Sequence, residues 1–239
     1  MVANSMVSGA SGGGIPLRII TGTSVCDGHD AAIGIMRRVM QAEGAEVIHL
    51  GHNRGSEEFA MAAIQEDAHA IAITSYQGGA VGQFQHVRDV LDEHGYHDVS
   101  IVAGGGATIL REHVRDLRER GIARVYTPDD GREMGLVGMV KDAMEHAYKI
   151  DLMDKSRFHF DGPVTAADHG SVGRLLTLAE NGDESALTTA LANARSRDEG
   201  EECPVVGITG TGGAGKSSLI AEILLRIQKT GSASCGGRV

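Results

Sequence analysis

Aromatic side chains are scarce in this 239-residue sequence, which has four Phe, four Tyr and no Trp. That scarcity argues against a nucleic-acid platform, which stacks bases on exposed rings. Basic residues are also in deficit, 22 Lys and Arg against 32 Asp and Glu, for a formal net charge of −10. Such a balance repels polyanions and anionic bilayers, so neither nucleic acid nor a membrane is an expected partner. No apolar run approaches the ~20 residues that a membrane helix requires. The three cysteines, Cys26, Cys203 and Cys235, are too few and too far apart for a disulfide framework or a paired metal site, which fits a reducing cytoplasm. Residues 1–15 lack a charged stretch followed by an apolar core, so a disordered leader is expected there rather than a signal peptide.

What is present is glycine, 34 residues of it, with 41% hydrophobic residues, enough for an ordinary globular core. From Pro16 to about Ile150 short aliphatic runs alternate with longer amphipathic ones. Strands are expected at Leu17–Ile20, Glu46–His49, Ala70–Thr74, Val99–Val102 and Ala123–Tyr126. Helices are expected near Asp30–Glu43, Ser56–Asp67, Val81–His94, Ile109–Arg120 and Glu133–Tyr148. Strands separated by helices imply βαβ units and a five-stranded parallel sheet covered on both faces. The fold class is therefore α/β, doubly wound and flavodoxin-like, with ligands expected beyond the carboxyl ends of the strands. Residues 151–203 read as a helical linker, irregular to Thr165, with helices around Val172–Ala179 and Glu184–Ala194 and a charged stretch from Arg195 to Glu202. The methionines at helical spacing, Met36, Met40, Met61, Met139 and Met144, read as core filling.

The chemistry-bearing residues of the first 150 cluster after strands. Beyond the first stand Asp27, Gly28, His29 and Asp30. An imidazole in such a loop can present one nitrogen to a metal while a carboxylate two residues earlier holds the other, fixing tautomer and orientation. After the third strand come Thr74, Ser75 and Tyr76, then Gly78; after the fourth come Gly104, Gly105, Gly106 and Ala107. Taken alone, an Asp-x-His triplet is a loop or helix cap, and a glycine run is a helix-entry turn. Three strand ends emptied or hydroxylated together point to a ligand.

This set resembles the Asp-x-His-x-x-Gly, Ser-x-Leu and Gly-Gly signature of base-off, His-on cobalamin domains of the methylmalonyl-CoA mutase family. The resemblance covers residues 16–150. It implies that His29 replaces the cofactor's own dimethylbenzimidazole beneath cobalt and that the displaced nucleotide tail threads along the glycines. A hydroxyl residue would then contact the buried base. On these terms His29 is the metal ligand, and the cofactor contacts fall on Asp27, Gly28, His29, Asp30, Ala31, Ala32, Ile33, Thr74, Ser75, Tyr76, Gly78, Gly104, Gly105, Gly106 and Thr127. The sequence departs from the general pattern at Ala32, where the motif has Gly, and at Thr74 and Tyr76, where it has Ser and Leu. That wording is similar to the fused isobutyryl-CoA mutases, in which a GTPase domain follows the cobalamin domain.

A second motif agrees with that subfamily. Gly210, Thr211, Gly212, Gly213, Ala214, Gly215, Lys216 and Ser217 fit G-x-x-x-x-G-K-[ST] between an expected strand, Val205–Thr209, and an expected helix, Ser217–Lys229. In such a loop backbone N–H groups cradle phosphates, the lysine reaches the terminal ones and the serine ligates magnesium. Residues 204–239 thus read as the start of a P-loop GTPase domain. The magnesium aspartate and base-reading loop are missing, so no useful GTP binding or hydrolysis is expected of this chain; GTP and Mg belong to an intact longer protein. Gly231–Val239 is expected to be disordered.

The resemblance implies a cofactor module that carries adenosylcobalamin for a radical rearrangement of an acyl-CoA. The substrate domain would lie elsewhere, in a longer chain or a separate subunit, and this chain alone would turn over nothing. A corrinoid carrier for methyl transfer is the alternative, although such carriers usually have a helical bundle before the corrinoid domain. A receiver-like signalling domain fits worse, because Tyr126-Thr127-Pro128-Asp129 offers no lysine after the fifth strand.

Overall fold

The computed structural model describes residues 15–106, 109–160, 163–194 and 206–229. The expected leader (apart from residue 15), Ala107, the charged stretch from Arg195 to Glu202, Cys203 and the last nine residues lie outside them. Five parallel strands, β1 (Arg18–Ser24), β2 (Glu46–Arg54), β3 (Ala70–Ser75), β4 (Ser100–Gly105) and β5 (Arg124–Tyr126), form one sheet in the order β2-β1-β3-β4-β5. Between and after them run α1 (Ala31–Ala42), α2 (Ser56–Gln65), α3 (Ala80–Glu93), α4 (Arg111–Glu119) and α5 (Pro128–Ala147). This is the expected doubly wound order. The chain reverses direction across the sheet between β1 and β3, the place where such folds open a crevice.

Residue size alternates along the central strands, and that alternation shapes the two faces. One face presents Ile20, Ile71, Ile73 and Ile101 to Phe59 of α2, Phe84 and Leu91 of α3 and Leu117 of α4, all fully buried. The opposite face presents Ile19, Ala70, Ala72 and Val102 to Met40 of α1 and Val140, Ala143 and Met144 of α5. Side chains in a strand alternate between faces, so continuing the second row reaches Thr74 and Gly104 at the carboxyl edge. Small residues there leave α1 and α5 unable to close on the sheet.

Several elements differ from the sequence expectation, β4 among them, which runs on to Gly105. β1 runs on to Ser24, through Thr21, Gly22 and Thr23, because those residues pair with Ala72, Ile73 and Thr74 of β3; the ladder outweighs the low strand propensity of glycine. β2 extends to Arg54 across two register irregularities against β1. α5 begins five residues earlier than Glu133. Thr127 caps it, accepting from Asp130 N while Asp130 accepts from Thr127 N, with Pro128 in the first turn, a capping box that was present in the sequence.

The chain divides into two units, Met1–Ser196 and Arg197–Val239. In the first, a 3₁₀ turn (Lys155–Phe158) and two helices, α6 (His169–Asn181) and α7 (Glu184–Ala194), follow α5. The turn is fastened by Arg157, which donates to the fully buried Asp67 at 2.5 Å and also pairs with Asp98. In the second unit α8 (Lys216–Lys229) follows the glycine loop, and Lys216 Nζ donates to the carbonyls of Gly210 and Thr211 at 2.7 and 2.8 Å. The strand expected at Val205–Thr209 is not formed. Val205 lies outside the described residues, and 206–210 are irregular. A strand needs a partner for its ladder, and none is present among the described residues of this unit.

Candidate functional site

Asp27 organises the carboxyl edge of the sheet. The turn after β1 places Cys26 at a positive φ of 60° and sends the Asp27 side chain inward, where only 1% of the residue is exposed. A buried carboxylate is tolerated when its oxygens are saturated with donors. Oδ1 accepts from His29 N at 2.9 Å and lies 2.7 Å from His29 Nδ1; Oδ2 accepts from Tyr76 N. Burial opposes ionisation, but the hydrogen bonds from Tyr76 and His29 outweigh it and hold the carboxyl below its ordinary value. One ionised group therefore ties the loop after β1 to the loop after β3.

An ionised carboxylate only accepts hydrogen bonds, so it requires the proton of a neutral His29 on Nδ1 and leaves the Nε2 lone pair free. The His29 side chain is 67% exposed, and its ring lies 5.0 Å from that of Tyr76, tilted by 39°. His29 thus offers one nitrogen donor. Among the described residues no group of three or more His, Cys, Asp or Glu is placed to hold a metal ion. A single imidazole suits a metal that brings the rest of its coordination sphere with it, as a corrinoid does.

Beside this pair opens a slot of about 360 Å³ between the second sheet face and helices α1 and α5. That lies near the lower end of ligand pockets, roughly 300–1,000 Å³. Of the residues expected from the sequence, Ala32, Ile33, Thr74, Tyr76, Gly104, Gly105, Gly106 and Thr127 line it. Asp27 and His29 stand next to it through Tyr76. Two of the three glycines, Gly105 and Gly106, are required by space. A Cβ on Gly105 would run into the carbonyl of Ser75, and one on Gly106 would lie 2.6 Å from Tyr76 Cδ1. Thr74 Oγ1 is buried and has no hydrogen-bond partner among the described residues, in a slot whose walls are mostly apolar. A buried hydroxyl without a partner is uncommon, and a bound polar atom would satisfy it.

Other expected residues lie elsewhere. Ser75 is fully buried with its hydroxyl engaged, accepting from Ser24 Oγ at 2.6 Å and Gln77 N at 3.3 Å, so it braces the loops instead of facing the slot. Gly28, Asp30, Ala31 and Gly78 do not line the slot; Gly28 and Gly78 border open space. Sequence reasoning missed Tyr126, Pro128, Gly131 and Leu136. It took Met36, Met40 and Met139 as core filling; Met40 does sit in the second core cluster with Met36 packed against it, and all three also line the slot. Their spacing marks an inward helix face, and nothing in it tells a packed face from one facing a cavity.

A parallel sheet with a single imidazole held by a buried carboxylate, above an apolar slot, defines a cofactor-carrying domain. The family model described as B12 binding domain matches residues 17–137. The chain belongs to the B12-binding domain family. It is 45% identical over 212 residues to the fused isobutyryl-CoA mutase of Cupriavidus metallidurans, covering 89% of this chain and 19% of that protein. To the fused isobutyryl-CoA mutase of Geobacillus kaustophilus it is 40% identical over 252 residues, covering 93% of this chain and 22% of that protein. To the 2-hydroxyisobutanoyl-CoA mutase small subunit of Aquincola tertiaricarbonis it is 30% identical over 114 residues, 48% of this chain and 82% of that subunit. The chain spans about a fifth of the length of the fused mutases it matches.

Proposed function

We propose that residues 16–150 hold adenosylcobalamin base-off, with His29 Nε2 as the lower axial ligand to cobalt, as the cofactor module of a radical acyl-CoA carbon-skeleton mutase of the isobutyryl-CoA or methylmalonyl-CoA type. The observation that carries this reading is the buried Asp27 carboxylate on His29 Nδ1, set beside an apolar slot with an unsatisfied hydroxyl. The residues fit the group. Asp27 fixes the ring's tautomer and raises the basicity of the free nitrogen. Gly104, Gly105 and Gly106 keep side chains out of the path of the nucleotide tail. Ala32 and Ile33 of α1 wall the slot, and Thr74 offers its hydroxyl to the displaced base. When bound, adenosylcobalamin supplies a 5′-deoxyadenosyl radical through homolysis of its cobalt–carbon bond.

The fused mutases and the mutase small subunit among the relatives support a partner that binds the acyl-CoA, either further along a longer chain or as a separate subunit. On this reading residues 151–203 are a linker and 204–239 begin a P-loop GTPase domain, with GTP and Mg bound only when that domain is complete. The setting would be the cytoplasm; among the described residues no helix is long and apolar enough to cross a membrane. The test is an absorbance titration with adenosylcobalamin, comparing the native chain with His29→Ala. A base-off, histidine-ligated spectrum in the native chain that disappears in the variant supports the reading; the same spectrum in both contradicts it.

A further inference from the structure

α5 is two helical segments joined at Gly135, whose φ of 65° and ψ of 173° are not helical. Glycine alone tolerates that backbone region. The break divides the slot's outer wall: Pro128 and Gly131 line it from one segment, Leu136 and Met139 from the other. One side chain grips both. Arg124, on β5 and 19% exposed, donates through Nη2 to Asp130 Oδ1 at 2.8 Å before the break and through Nε to Asp142 Oδ2 at 3.0 Å after it. Its guanidinium lies 5.0 Å from the centre of the Tyr126 ring, and Tyr126, which lines the slot, donates its hydroxyl to the same Asp142 oxygen at 2.8 Å. Asp130 in turn holds the Thr127 cap, accepting from its N–H and hydroxyl at 2.7 Å each. A planar fork with several donors can reach two carboxylates at once, which a lysine ammonium does poorly.

We propose that Arg124 is a positioning residue for the slot: by gripping Asp130 and Asp142 across the break at Gly135, it sets how far apart the two segments of α5 stand and how tightly they close on the nucleotide tail of a bound corrinoid. Arg124 itself does not line the slot. This inference rests on the cobalamin reading above, and the experiment separates the two.

The 239-residue chain is loaded with cobalt-57 adenosylcobalamin or, in parallel, adenosylcobinamide, which has the same corrin without the tail. Release is followed after a chase of unlabelled cofactor. Arg124→Ala is expected to release adenosylcobalamin at least about tenfold faster than native while releasing the cobinamide within about twofold of the native rate. Cobalamin release within twofold of native, or equal acceleration of both corrinoids, overturns the inference. Should Arg124→Ala not fold by circular dichroism, Arg124→Lys is judged by the same two rates. If the native chain retains neither corrinoid, the cobalamin reading itself falls, and this inference with it.

Discussion

Asp27→Asn changes one oxygen to an amide nitrogen and leaves the shape of the side chain intact. In the native chain both carboxylate oxygens are occupied, Oδ1 by His29 N and Nδ1 and Oδ2 by Tyr76 N. Whichever way the asparagine amide turns, its NH₂ faces a group that must itself donate: Tyr76 N–H in one orientation, His29 N–H in the other. A buried donor left without an acceptor costs about 1–3 kcal/mol, so the variant should lose about that much stability. The second effect falls on the imidazole. Without an acceptor-only partner on Nδ1, His29 is free to carry its proton on Nε2, the nitrogen that must stay bare. Removing the partner of a ligating histidine typically lowers metal affinity 10–100-fold, or about 1.4–2.8 kcal/mol at 1.4 kcal/mol per tenfold. Urea denaturation and adenosylcobalamin titration read the two losses separately. An Asp27→Asn chain that binds within about threefold of native refutes the role given to this carboxylate.

Other perturbations reach different parts of the chain. Burial foremost, with the Arg18 guanidinium beside it, lowers His69 from its ordinary value of 6.5 to about 4, and its Nδ1 accepts from Arg18 N at 2.9 Å. The unfolded chain takes up that proton first, so the associated stability is complete above pH 6.5 and is lost as pH falls toward 4, by about 2 kcal/mol at pH 5. Urea melts at pH 7 and pH 5 should show the difference, and His69→Asn should flatten it. Gly105→Ala drives a methyl into the Ser75 carbonyl, with an expected loss of about 1–3 kcal/mol and at least tenfold weaker cobalamin binding; a native melting midpoint with native affinity would contradict this. Arg157→Met leaves the Asp67 carboxylate buried without its cation, a loss of about 3–5 kcal/mol. Adding Asp67→Asn should recover much of it in a double-mutant cycle.

The alternation of strands and helices, the parallel sheet and the cluster of Asp27, His29, Thr74 and the glycines at its carboxyl edge were all legible, because each rests on local pattern. What escaped was set by long-range contacts. β1 continues through Gly22 only because β2 and β3 pair with it. The pairing of Arg157 with Asp67 joins residues 90 positions apart, which no spacing rule reaches. The wall supplied by α1 and α5 was hidden for another reason. Met36, Met40 and Met139 obey the same helical period whether the sheet opposite offers isoleucine or, as here, alanine, threonine and glycine. The start of α5 is readable in the cap Thr127-Pro128-Asp129-Asp130, five residues before the expected start at Glu133. The strand before the P-loop motif matched its local pattern but has no neighbour to pair with among the described residues.

The central claim is coordination of cobalt by His29. Electron paramagnetic resonance of the chain loaded with cobalamin and reduced to cobalt(II) tests it most directly, using protein labelled with nitrogen-15 in histidine only. Replacing a spin-1 nitrogen with a spin-½ nitrogen should convert the three-line superhyperfine splitting into two lines, and His29→Ala should abolish it. A three-line pattern that persists through the labelling would mean that the cofactor's own unlabelled base is the ligand, and the account would fail.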